Sequence, residues 1–153
     1  MDAQNLGYAL TQVVHNLGAV SVTGGAAAAR GLKLAEPQAA QRPLAGLVLG
    51  GWVAQGASGV CFGAISYAGY GRFPDIHGIA IGALVLKMAC AAAGFSVAVL
   101  YLAREASWSA PGRQRAGTTQ LALALTALAA AAFLRWFSLK KKRRSVTAVF
   151  QSL

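Results

Sequence analysis

Long apolar runs alternate with short polar interruptions along the chain, and within each run the polar and small positions recur at helical rather than strand spacing. Residues 8–29, 44–68, 78–103 and 118–138 read as four helices, each long enough at about 1.5 Å per residue to cross a hydrocarbon core of about 30 Å. The interruptions carry the breakers and the charge: RGLKLAEPQAAQRP at 30–43, GYGRFPDIH at 69–77 and REASWSAPGRQRAG at 104–117. The expected architecture is an all-α integral membrane four-helix bundle, one domain over residues 1–153, with both termini on the same side and a basic tail at 139–153. Thr118 or Thr119 is the expected N-cap of the last helix.

Each helix has two unlike faces. In the third, Ala80, Ala83, Lys87, Ala91, Gly94 and Ala98 share one side, while Ile81, Val85, Phe95, Val99 and Leu102 share the other. Small residues mark close helix approach and bulky aliphatics mark lipid, so Lys87 is expected to point inward. In the first helix Thr11, His15, Gly18, Val22 and Gly25 form the smaller, more polar face, opposite Leu10, Val13, Leu17 and Val20. His15 is therefore expected to point inward too. The second helix repeats small residues at Gly46, Gly50, Ala54 and Ser58, and again at Gly59 and Gly63, which suggests a central member approached closely by its neighbours. Gln55 near its midpoint needs a hydrogen-bond partner.

Composition sharpens this picture. The chain is 56% hydrophobic and 12% charged, which favours a membrane protein over a soluble domain. A net charge of +10 would suit nucleic acid, but the charge is placed otherwise: five of fourteen basic residues form the run Lys140, Lys141, Lys142, Arg143, Arg144 directly after an apolar helix. That position anchors a helix end and contacts anionic lipid, and the chain has no nucleic-acid motif. Basic residues are nearly balanced between the two sides, and the density of this run favours cytoplasmic termini. The acidic start MDAQN argues for a retained first helix rather than a cleaved signal. Cys61 and Cys90 fall inside predicted helices and do not make a secreted disulfide framework.

Depth brings the polar residues together. The first and third helices run parallel, and His15 and Lys87 each lie about three residues before the midpoint, on one side of the bilayer centre by about 4.5 Å. Cys61 of the antiparallel second helix reaches toward the same half. Two arrangements follow. His15 could be the axial ligand of a b-type haem, with Lys87 as second ligand, propionate partner or porphyrin contact. Alternatively His15 and His77 could ligate haem or copper, with Cys61 or Met88 as soft ligands. Against both stands a purely structural account in which His15, Gln55 and Lys87 bind helices to one another. No Asp or Glu lies inside a predicted helix, so a counter-ion for Lys87 has to come from a ligand, a lipid or another protein.

The segments VVHNLGAVSVTGG around His15, SYAGYGRF at the turn and ALVLKMACAAAG around Lys87 resemble the copper-resistance D superfamily and the related bacterial membrane protoporphyrinogen oxidase. The resemblance spans roughly residues 8–103. It implies that His15 and Lys87 belong to a haem or porphyrin site. The expected function is a membrane subunit that binds b-type haem, or a similar planar redox cofactor, for electron transfer within a larger complex. It is read as a non-catalytic subunit rather than an enzyme, working with other membrane subunits or further copies of itself. The alternatives are a cofactor-free assembly subunit, a porphyrinogen oxidase and a copper-handling protein.

Overall fold

A computed structural model describes residues 3–31, 38–73, 76, 78–104 and 107–151, with side chains undescribed at 38–40 and 137–151. It contains four helices in an all-helical bundle: α1 (Ala3–Gly31), α2 (Gln38–Tyr70), α3 (Ile79–Ala103) and α4 (Ala110–Gln151). Segments Gln41–Tyr70, Ile79–Ala103 and Ala110–Trp136 are long and apolar enough to cross a membrane. The 29-residue α1 has the length as well, but Gln12, His15 and Asn16 dilute its apolar character. Its outer face is nevertheless greasy, with Leu10, Val13, Leu17 and Val20 all exposed.

The helices run up and down in turn. Gly7 of α1 lies against Ile65 of α2, Gly18 against Gly51, and Gly25 against Val48, an antiparallel pairing. Helix α1 packs on α2 and α4, and α3 packs on the same two, so α1 and α3 occupy opposite corners of a four-membered ring. The core is thin and made of small residues around one large one. Val22, Ala26, Val48, Trp52, Cys90, Ala124 and Ala127 are buried together. Trp52 is the only bulky ring among them, and it fits because Gly94 opposite lacks a Cβ; one built there would lie 2.6 Å from Trp52 Nε1. The exposed aliphatic and aromatic side chains of all four helices form the exterior that lipid would cover.

Three of the observed helices extend beyond the expected ones, and α3 matches its expected span to within one residue. Helix α2 begins at Gln38 rather than 44 and carries Pro43 internally, and α1 begins at Ala3. At its far end Gly71, with φ of 64°, donates its N–H to the Tyr67 carbonyl at 2.8 Å and stops α2 in the left-handed conformation that glycine adopts readily. Helix α4 begins at Ala110, eight residues before the expected start. Its cap is Ser109, whose Oγ accepts the Gly112 N–H at 3.3 Å, not Thr118 or Thr119. Pro111 falls in the first turn, where its missing N–H costs nothing. The backbone of 139–151, most of the expected basic tail, continues α4. The side chains of Lys140, Lys141, Lys142, Arg143 and Arg144 lie outside the described residues.

Candidate functional site

The small inward stripe of α1 determines where its polar side chains arrive. Gly18 lets α1 settle against α2 so closely that a Cβ there would lie 3.0 Å from the Gly51 carbonyl oxygen. One turn earlier, His15 is thereby held over Ser58 of α2, and its Nδ1 lies 2.7 Å from Ser58 Oγ. Its Nε2 lies 2.8 Å from Lys87 Nζ of α3. Gln55 donates from Nε2 to the His15 carbonyl at 2.6 Å. Three helices therefore meet on one histidine, and the His15–Lys87 contact spans the diagonal of the bundle.

With Lys87 as an ammonium, donor count assigns the hydrogen-bond directions. Ser58 Oγ has one hydrogen, and its contact to the Ala54 carbonyl at 2.5 Å takes it, as helical serines commonly do. Its oxygen then accepts from His15 Nδ1–H, which leaves the Nε2 lone pair to accept from Lys87. The chain runs Lys87 Nζ–H to His15 Nε2, His15 Nδ1–H to Ser58 Oγ, and Ser58 O–H to the Ala54 carbonyl. Phe62 closes one side, edge-on to the imidazole at 5.7 Å between centroids, and Tyr8 stacks on Phe62 at 6.3 Å. His15 and Lys87 are both half-buried. None of the described residues is acidic, because Asp2, Glu36, Asp75 and Glu105 all lie outside them, so no described side chain supplies Lys87 with a counter-charge.

The other candidates do not join this layer. Cys61 is exposed on the outer surface of α2, and Met88 is 63% exposed on α3. Each lies beside an inward residue in sequence, and the 100° turn per residue swings it toward the exterior. Cys90 is buried, but in the core beside Trp52. His77 lies outside the described residues. Among the described residues no three His, Cys, Asp or Glu side chains gather as metal ligands. The sequence pattern missed Ser58 as a polar partner of His15, because it stands there as one more small residue in a stripe. It also missed a second polar layer, in which Trp52 Nε1–H donates to Gln120 Oε1 at 2.8 Å and Gln120 Nε2 donates to the Gly94 carbonyl at 2.7 Å. A lone amide in a Leu- and Ala-rich helix was the available signal for Gln120.

No sequence-family model, curated protein or solved structure matches the chain.

Proposed function

We propose that this chain is an integral membrane subunit whose His15–Lys87 pair holds a planar redox cofactor, a b-type haem or a close relative, for electron transfer within a larger membrane assembly. The observation that carries this reading is the pair of contacts made by the two ring nitrogens of His15. Its Nδ1–H is anchored on a neighbouring helix and its Nε2 lone pair is turned across the bundle, the arrangement by which proteins orient a ligating histidine. Fit is conditional on one side chain, because Lys87 occupies Nε2 and has to release it. Its four-carbon stem permits that, and the ammonium can then meet an anionic edge such as a propionate. His15 would hold the iron, and Lys87 would supply the charge that the described residues leave uncompensated. Haem iron, when bound, supplies one-electron redox chemistry. The resemblance around His15 and Lys87 points the same way. A bacterial inner membrane with cytoplasmic termini and anchorage through Lys140–Arg144 complete the proposal.

Titration of the detergent-solubilised protein with haemin, followed in the Soret region, tests it. Saturable one-to-one binding that His15→Ala removes is expected, and no saturable binding to the wild type overturns the reading.

A second reading is favoured by the same contacts. Both ring nitrogens and the carbonyl of His15 are engaged, which suits an assembly subunit whose polar residues simply lock α1 to α2 and α3. Under that reading His15→Ala lowers the melting temperature and leaves a protein that was colourless from the start. Porphyrinogen oxidation rests on the resemblance alone, and copper handling receives no support from Cys61 or Met88, which face outward.

A further inference from the structure

Helix α1 divides its polar residues between two faces. Of the three that dilute its apolar character, His15 turns inward to Ser58 and Lys87, whereas Gln12 and Asn16 are exposed on the outer surface. Asn16 lies one residue and Gln12 five residues before residue 17, the midpoint of Ala3–Gly31, so both stand within about 8 Å of the helix centre. The exterior beside them is otherwise apolar, with Leu10, Val13, Leu17 and Val20 exposed.

The two amides satisfy each other only in part. Gln12 Nε2 donates to Asn16 Oδ1 at 2.7 Å, one turn along the helix. The Gln12 carbonyl oxygen and three amide N–H groups of the pair then have no partner among the described residues. Turning both amides over exchanges donor and acceptor and leaves the same balance. Exposed Ser96 and Thr126 behave differently, because each returns its hydroxyl to a carbonyl of its own helix, Ala92 at 2.8 Å and Ala122 at 2.9 Å. Hydrocarbon offers the unmet amide groups nothing, and leaving them unpaired there is costly. The surface around them is shaped for another helix. Asn5, Ala9, Gln12 and Asn16 are all exposed and follow one another at four, three and four residues, the heptad spacing by which two helices mesh along a seam. Ala9 keeps that seam low enough for a second backbone to approach.

We propose that this seam is the contact between two copies of the chain, related by a two-fold axis along the membrane normal, with Gln12 and Asn16 of one α1 hydrogen-bonded to Asn16 and Gln12 of the other. The proposal rests on the membrane-spanning reading and is independent of any cofactor at His15. A second copy is the occupant because symmetry supplies the match. Two chains inserted in the same direction bring identical residues to identical depth, and a carboxamide is self-complementary, its oxygen accepting what its nitrogen donates. A lipid tail brings neither group. His15 stays inside each bundle, so association leaves its contacts with Ser58 and Lys87 in place.

Sedimentation equilibrium in a density-matched neutral detergent and disulfide trapping in native membranes test the proposal. The wild type should sediment at twice 15.7 kDa. Gln12→Leu combined with Asn16→Leu should raise the dimer dissociation constant about tenfold or more, with circular dichroism showing the helices kept. In a Cys61→Ser background, which removes the exposed native thiol, Ala9→Cys should trap a disulfide dimer, and Leu10→Cys, about 100° round the helix, should not. A dimer unaffected by the double substitution, or trapped equally at position 10, would put the contact elsewhere and overturn the proposal. A monomer with no trapping at position 9 would give the seam to lipid, and a monomer that holds a different protein through Gln12 and Asn16 would give it to that protein; either result overturns the second copy. Alkaline carbonate extraction separates these from failure of the membrane reading. A chain kept in the membrane pellet yet monomeric overturns the interface alone, and a chain released into the supernatant overturns both.

Discussion

Gly50 and Gly51 are neighbours on α2, and an added methyl group should act in opposite directions at the two positions. At Gly50 a Cβ meets nothing within 4 Å, so alanine adds only helix propensity, up to about 1 kcal/mol. At Gly51 the same Cβ would lie 2.7 Å from Val22 Cγ2, 2.9 Å from the Gly18 carbonyl oxygen and 3.0 Å from the Val22 nitrogen. Two of those three atoms are backbone and cannot rotate away. Restoring an ordinary 3.4 Å contact to the carbonyl oxygen requires α1 and α2 to part by 3.4 − 2.9 = 0.5 Å. Overpacking of this kind costs about 1–3 kcal/mol. The propensity gain is common to both variants, so the difference between them reads the steric term alone. At about 2–4 °C per kcal/mol for a chain of this size, Gly51→Ala should melt roughly 2–12 °C below Gly50→Ala. The displacement also reaches the site, because Gln55 and Ser58 sit one and two turns along the same seam and both bond to His15. Thermal unfolding in one detergent, monitored by circular dichroism, is the assay. A Gly51→Ala variant as stable as Gly50→Ala would refute the close α1–α2 seam and with it the placement of His15 over Ser58.

Three further outcomes follow from the polar layers. Gln120→Leu strips the acceptor from Trp52 and the donor from Gly94, both in the core, and should lower stability by about 1–3 kcal/mol, measured in the same melting assay. Ser58→Ala removes the anchor of His15 Nδ1, and should broaden or shift the His15 ring resonances in a selectively labelled sample while leaving the helix content unchanged. Arg30→Ala loses a 2.7 Å bond to Thr118 at an exposed position and should change the melting free energy by less than about 1 kcal/mol.

The helical periodicity made much of this legible. The inward faces of α1 and α3 were readable because Gly18, Val22, Ala83, Gly94 and Ala98 recur at helical spacing, and the structure buries all five. The shared depth of His15 and Lys87 followed from helix length and direction, and the 2.8 Å contact realises it. That they meet could not be read, since depth along the axis says nothing about the order of helices around it. The run Gly46, Gly50, Ala54 and Ser58 was only half informative for a related reason: Ala54 and Ser58 meet α1, while Gly46 and Gly50, like Gly59 of the second run, are exposed, and close approach falls also to Gly51, beside Gly50. Where α2 offers small residues on several faces, only the partner decides which face is used. The start of α4 was obscured because Pro111 and Gly112 read as breakers, although a proline is at home in a first turn once Ser109 caps it.

The proposed role of His15 is to turn Nε2 inward and hold a redox cofactor beside Lys87. Absorption spectra of protein purified from cells supplied with haem precursor, air-oxidised and then dithionite-reduced, with a pyridine haemochrome assay on the same sample, test it most directly. Stoichiometric b-type haem in the wild type, loss of the Soret band in His15→Ala, and helix content kept in that variant are expected. A featureless wild-type spectrum, or undiminished haem in His15→Ala, would contradict it.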